Sequence, residues 1–241
     1  MASHKECPDP RKARLPKRVL QIATGDRPDT FDIKLVTTEG QTGTYATLSH
    51  CWGRYQPIRT LVENAAGMEV SIPWHDLSPV FRNAIQVAAN LQISYLWIDS
   101  LCIIQDSAVD WETEAAKMAD YYENSITTIS AASSVDGSQP SLRDHDARWK
   151  PRSFEFRNLD GSVSTLKTRE VLTLTEYTER DPLYTRAWVW QETVLSTRNI
   201  SFCAAGLVWD CRAESVGEDG SDGRFFTLKP SARDVRSPPS I

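Results

Sequence analysis

A chain of 241 residues, 40% hydrophobic and 24% charged, has the composition of a globular protein with room for one sizeable domain and tails. Its net charge of −5 argues against a dedicated nucleic-acid binder, which would carry a basic face. It has no apolar run long enough to span a membrane and no secretory h-region, since the N-terminus is polar and holds Pro8 and Pro10, so a cytoplasmic location is expected. Five cysteines, an odd number without a signal peptide, favour reduced thiols over a disulfide framework. Cys51, Cys102 and Cys203 lie in apolar runs and read as small core residues.

Residues 1–15 read as a flexible basic arm. Its cations, with Lys17 and Arg18 following Arg11, Lys12 and Arg14, suit either a solvated arm or a surface-tethering patch. Val19–Ile22 and Phe31–Val36 are short and β-rich. In the second, Phe31, Ile33 and Leu35 alternate with Asp32 and Lys34, as in a half-exposed strand. Thr44–His50 predicts a buried strand, and Trp52–Trp74 a long connection with little periodicity. Ser78 and Pro79 open a helix with Phe81, Ala84, Ile85, Ala88 and Leu91 on its apolar face. Ser94–Ile98 predicts a short strand ending at Asp99.

Asp110 is the expected cap of the next helix, with Trp111, Ala115, Met118, Ala119 and Tyr122 on one face and Glu112 and Glu114 in its first turn. Ile126–Ala132 predicts a strand and 133–152 a polar loop. Residues 153–180 read as β-rich, with a hairpin at Asp160-Gly161. Asp181 as N-cap and Pro182 at the first position predict a helix to Ser196. Leu183, Ala187, Trp190 and Val194 would form its core stripe, widened by Tyr184, Trp188, Gln191 and Leu195. Arg198–Cys203 and Leu207–Cys211 predict a hairpin, and 213–241 a disordered tail. Strand and helix alternate between 44 and 132, which points to a parallel crossover core with antiparallel pieces from 15–36, 153–170 and 198–211 added around it. Parallel sheets bind ligands at the carboxyl ends of their strands, here Ser49–Gly53 and Asp99–Cys102.

Three segments carry a resemblance. They are Tyr45-Ala-Thr-Leu-Ser-His-Cys-Trp-Gly53; then Leu96-Trp-Ile-Asp-Ser-Leu-Cys-Ile-Ile-Gln105 followed by Asp110–Tyr122; then Thr185-Arg-Ala-Trp-Val-Trp-Gln-Glu192 with Leu195-Ser196. In order and spacing the chain resembles the fungal heterokaryon incompatibility (HET) domain, over roughly residues 45–211 within a domain spanning 16–212. The resemblance implies an intracellular fungal protein linked to cell death on non-self recognition. HET domains are in turn distantly similar to Toll/interleukin receptor (TIR) domains, which implies an α/β fold with a TIR-like parallel sheet core flanked by helices. Some TIR domains cleave NAD with a helix glutamate in a Trp-Cys-x-x-Glu pattern. Trp188-Val-Trp-Gln-Glu192 keeps the Trp and the Glu, with Val189 at the Cys position.

What the resemblance implies for Glu192 is a catalytic carboxylate at the nicotinamide–ribose bond, with NAD as substrate and no resident cofactor. TIR-like enzymes gain activity by self-association, so a second copy or an upstream receptor-type activator is the implied partner. The alternative is a non-catalytic signalling module acting by homotypic assembly. Read from the residues alone, Glu192 is either a solvated outer-face glutamate or a rim carboxylate with a raised pKa. Asp99 either meets a ribose or caps its own turn. Trp52 stacks on a ring or fills the core; His50 meets a phosphate or is a satisfied core histidine. Ser49 and Gly53 complete that strand end, where Gly53 lets backbone approach a ligand. Arg186 meets a phosphate or ties the helix down. Trp188 stands one turn from Glu192. The chain holds no Cys-x-x-Cys, no His-Glu-x-x-His and no phosphate-binding Gly-Lys-Ser/Thr loop, so neither a zinc centre nor a redox nucleotide is expected.

Overall fold

The computed structural model describes residues 7, 13–25, 30–54, 58–144, 149–168, 170, 181–218, 220, 222 and 223. The strands are β1 (Ala13–Arg14), β2 (Arg18–Thr24), β3 (Phe31–Thr37), β4 (Thr42–Gly43), β5 (Ala46–Ser49), β6 (Tyr95–Trp97), β7 (Thr127–Ser130), β8 (Arg152–Arg157), β9 (Val163–Thr168), β10 (Arg198–Cys203), β11 (Gly206–Cys211), β12 (Ser215–Gly217) and β13 (Asp222–Gly223). The helices are α1 (Ala65–Val70), α2 (Pro79–Asn90), α3 (Asp99–Cys102), α4 (Ala108–Ala115), α5 (Met118–Asn124) and α6 (Ala187–Leu195).

A nine-stranded mixed sheet runs in the order β13-β12-β11-β10-β7-β5-β6-β2-β3. Its centre is parallel: β6, β5, β7 and β10 all run the same way. Antiparallel β2 and β3 extend one edge, and β11 to β13 the other. The expected architecture is therefore present, a parallel core of four strands flanked by helices, with antiparallel strands at its margins. β5 and β7, the middle pair, are buried along their whole length, as strands covered on both faces must be. β3 alternates as its sequence requires, with Ile33 and Leu35 inside and Asp32 and Lys34 outside.

The Arg198–Cys203 strand was expected among the antiparallel additions. It pairs antiparallel with β11 in the expected hairpin, but on its other side it runs parallel to β7 and so completes the central core. The connection 52–74 also differs from expectation, because it contains α1 and a 3-10 turn at Trp74–Asp76.

One of the expected caps holds a different position. Ser78 caps α2 as predicted, its Oγ accepting from the Phe81 amide at 3.2 Å. The cap of α4, however, is Ser107, and Asp110 lies inside the helix and buried. There it accepts from Lys17 Nζ at 2.8 Å, from the Ile104 amide at 2.9 Å and from the Arg18 guanidinium. Lys17 and Arg18 are consequently not part of a solvated arm: Arg18 is buried and also donates to the Cys102 carbonyl at 2.8 Å. The helix that was expected to continue to Tyr122 breaks after Ala115, and Trp111 points to solvent while Glu114 is buried against Lys117 and the Tyr121 hydroxyl. Of the expected tail, 224–241 lie outside the described residues, and its first part holds paired structure, since β12 adds to β11 and Ser215 is buried.

The core has two parts. The larger lies around β2, β3, β5, β6 and β7 with α2 and α3, and includes Trp97, Phe81, Tyr45 and Tyr122. The smaller gathers Cys51, Ala132, Leu183, Val189, Cys203, Ala205 and Val208. α6 bridges them, Val189 in the smaller cluster and Leu195 in the larger. All five cysteines are buried.

Candidate functional site

The segment 181–196 is not one helix. A 3-10 turn at Pro182–Thr185 is followed by an extended Arg186 (φ −94°, ψ 130°), from which α6 starts. Asp181 holds the expected N-cap position, now of the 3-10 turn, but its side chain makes no capping bond; its buried carboxylate accepts from the Ala204 amide at 3.2 Å and holds the β10–β11 turn. This break resets the helical phase. The buried residues of α6 are Val189, Glu192, Thr193, Val194 and Leu195, so Val194 and Leu195 lie inside as expected, and Glu192 shares the inner side with them. Ala187, expected in the core stripe, is exposed, and so are Trp188 (66%) and Trp190 (56%). Two indoles in water and a carboxylate inside are the reverse of what the residue types favour.

Glu192 lies between the two core clusters, 6% exposed. Ser49 Oγ, at the carboxyl end of β5, donates to Glu192 Oε2 at 2.5 Å. The Tyr122 hydroxyl hydrogen-bonds the same carboxyl group and lies 3.3 Å from the Leu48 carbonyl oxygen. Burial is the main cause that lifts the Glu192 pKa to about 7, and the nearby Asp99 charge adds to it. The Ser49 and Tyr122 hydrogen bonds and the Arg186 charge act in the opposite direction.

The other predicted residues assemble around this pair. Asp99 starts α3 directly after β6; its Oδ2 accepts from Trp52 Nε1 at 2.9 Å and its Oδ1 from the Ser100 amide at 2.7 Å. It thus both caps its own turn and faces the strand end. His50 is buried, with Nδ1 3.9 Å from Asp99 Oδ1 and its ring edge-on to Phe81. Burial lowers its pKa, Asp99 opposes that and Arg186 reinforces it, so the imidazole is neutral at neutral pH. Arg186 donates to the His50 carbonyl and hydrogen-bonds the Cys51 side chain, tying the start of α6 to the end of β5. Gly53, at φ +57°, approaches backbone closely, but what it approaches is the loop after β7: a Cβ there would stand 2.2 Å from Asp136 Cβ and 3.0 Å from the Val135 carbonyl oxygen. Trp188 lines a crevice of about 10 Å³ with Met118, Ala119, Tyr122 and Gln191 that reaches Glu192.

Chain connections after β5 lead toward β6 on one side, and those after β7 toward β10 on the other. The crevice between such strands is where a parallel sheet receives a ligand. Ser49 and Glu192 meet at that point, and Trp52 reaches Asp99 beside it. Among the described residues, no group of three or more His, Cys, Asp or Glu side chains is placed to hold a metal ion. No helix among them is long and apolar enough to cross a membrane.

Tyr122 is the site residue that sequence reasoning left in the core. Its signal was weak, a tyrosine on a helix face that otherwise reads as apolar, and only the packing of α5 on α6 brings its hydroxyl to Glu192. Gly53→Ala is expected to destabilise the protein by about 1–3 kcal/mol, because it adds both a left-handed φ and a clash with Asp136. Urea unfolding beside the wild type measures it, and an unchanged midpoint would show that the 135–136 loop yields freely.

The fold is that of an α/β protein with a parallel core, and it places a buried carboxylate at the switch point of its parallel strands. The family described as Heterokaryon incompatibility protein (HET) matches residues 45–192, from the first residue of the strand-end motif to Glu192 itself. The chain belongs to that family, which supports a role related to heterokaryon incompatibility and cell death. No curated protein and no solved structure matches it.

Proposed function

We propose that the chain is a cell-death effector that cleaves NAD at the nicotinamide–ribose bond when self-associated, with Glu192 as its catalytic carboxylate. The observation that carries this reading is the burial of Glu192 at the strand ends beside Ser49 and Tyr122, with a pKa near 7. A carboxylate kept from water at a strand end suits a reaction that passes through a sugar cation, since it opposes the developing charge at low dielectric. Water adds to the ribose as the bond to nicotinamide breaks, releasing nicotinamide, ADP-ribose and a proton. Asp99 and Ser49 would meet ribose hydroxyls, Arg186 and His50 a phosphate, and Trp52 or Trp188 a flat ring. Two buried hydroxyls without a partner among the described residues, Ser100 Oγ and Thr193 Oγ1, each adjoin one of the two carboxylates in sequence. Such groups cost about 1–3 kcal/mol each and call for a reason.

The crevice beside Glu192 has room for little more than one water. A nucleotide therefore gains access only if α6 or the Gly53 loop moves, which is the step that assembly with a second copy or a receptor-type activator would supply. The same closed crevice, together with the exposed Trp188 and Trp190, favours the second reading, a non-catalytic module that signals by homotypic assembly.

Nicotinamide release by concentrated and by artificially dimerised protein, beside Glu192→Ala, separates the two. Release that vanishes in the variant supports the glycohydrolase; none from either protein under both conditions leaves the signalling module. Cleavage should rise with pH through about 7 as Glu192 ionises. A rate that falls across that range would show that the carboxylic acid, not the carboxylate, is the working form.

A further inference from the structure

The ribbon β8–β9 stands apart from the nine-stranded sheet and takes no part in the site. Phe154 pairs directly with Leu166 across the strands, and Phe156, two residues on, shares their face. All three are about half exposed, at 53%, 52% and 50%, and Leu159 at the tip is fully exposed. A lone two-stranded hairpin is marginal in water and gains nothing from an apolar face that remains wet.

Charge decides what covers that face. Arg152 shares the apolar face, and Arg157 and Lys167 lie on the opposite one with the single acid Glu155, so the two strands are net basic in a chain whose net charge is −5. A second copy would set like-charged ribbons against each other, whereas an anionic surface would not. The acid at the tip, Asp160, is folded back into its own turn, accepting from the Ser162 amide at 2.9 Å and its hydroxyl at 2.6 Å. The projecting shape, with an apolar residue foremost and cations behind it, fits a flat fluid surface rather than a concave protein pocket.

We propose that this ribbon docks the chain on anionic lipid bilayers, with Leu159, Phe154 and Phe156 in the interfacial layer and Arg152, Arg157 and Lys167 among the headgroups. The ribbon lies outside the Glu192 site, so this inference does not depend on NAD cleavage.

Co-sedimentation of the full chain with vesicles of phosphatidylcholine alone, and with phosphatidylserine added, tests it. Binding is expected only with phosphatidylserine and should weaken as salt rises. Leu159→Asp should weaken it at least about tenfold, and Arg157→Glu with Lys167→Glu more than about tenfold. Both variants change exposed side chains only, and unchanged thermal unfolding will verify their folding. Binding that ignores these changes, or no binding to either vesicle, overturns the proposal. So does a concentration-dependent dimer abolished by Leu159→Asp, which would assign the face to a second copy. Equal retention on immobilised polyglutamate by wild type and Leu159→Asp would assign it to an acidic protein and overturn it as well.

Discussion

Glu192→Gln is expected to stabilise the protein at pH 8, by about 3 kcal/mol relative to its effect at pH 4. The sign follows from the raised pKa. Below about 4.5 the carboxyl group is protonated in both the folded and unfolded chains, and it contributes no pH dependence. Between 4.5 and about 7 the unfolded chain loses its proton while the folded one keeps it, so wild-type stability falls as pH rises through that window and then levels off. Glutamine has nearly the same shape and can still accept from Ser49, but has no charge to desolvate. Its thermal midpoint should therefore exceed that of the wild type by roughly 6–12 °C at pH 8, with the gap closing on acidification. Parallel melts from pH 4 to 8 measure this. A constant gap would mean that Glu192 is not the group that titrates. Under the proposed chemistry the stabilised variant is also the inactive one.

The second large effect is expected at Asp110. Asp110→Ala removes the partner of a buried arginine and leaves the Arg18 guanidinium with only the Cys102 carbonyl. Breaking such a pair from one side costs about 3–5 kcal/mol. Burial by itself would raise the Asp110 pKa, but Lys17, the Ile104 amide and Arg18 together outweigh that and hold it below the usual carboxylate value. The depressed pKa means that this contribution is complete above about 3.8 and is lost as pH falls through the folded value. Wild type should accordingly lose stability in acid more steeply than Asp110→Ala does. The double variant Arg18→Met with Asp110→Ala should recover part of the loss, since an uncharged thioether replaces an unpaired charge. If it recovers nothing in urea unfolding, the pair's role is packing and not charge.

The two sites differ in legibility for one physical reason. Local signals, which depend on residues close in sequence, were readable. Alternation in Phe31–Val36, the Ser78 cap of α2, the turn at Asp160-Gly161 and the hairpin around Ala204–Gly206 all lie where the residues put them. The parallel centre was readable too, because buried β-rich segments alternating with helices admit few other arrangements. Phase and partner choice were not. At the break, Arg186 meets a carbonyl offered by His50, 136 residues earlier, a partner that no local pattern announces. Asp110 looks like a cap until Arg18, 92 residues away, takes it inside.

By itself, then, the sequence determined the class of the fold, the strand-end position of Ser49–Gly53 and Asp99, and the choice of Glu192 as the acid to watch. Only the tertiary structure decided that Glu192 is buried and Trp188 and Trp190 are not. Helix periodicity ranks faces by hydrophobicity, whereas α6 is tethered to the end of β5 by two long-range hydrogen bonds, from Arg186 to His50 and from Ser49 to Glu192, which no local pattern encodes.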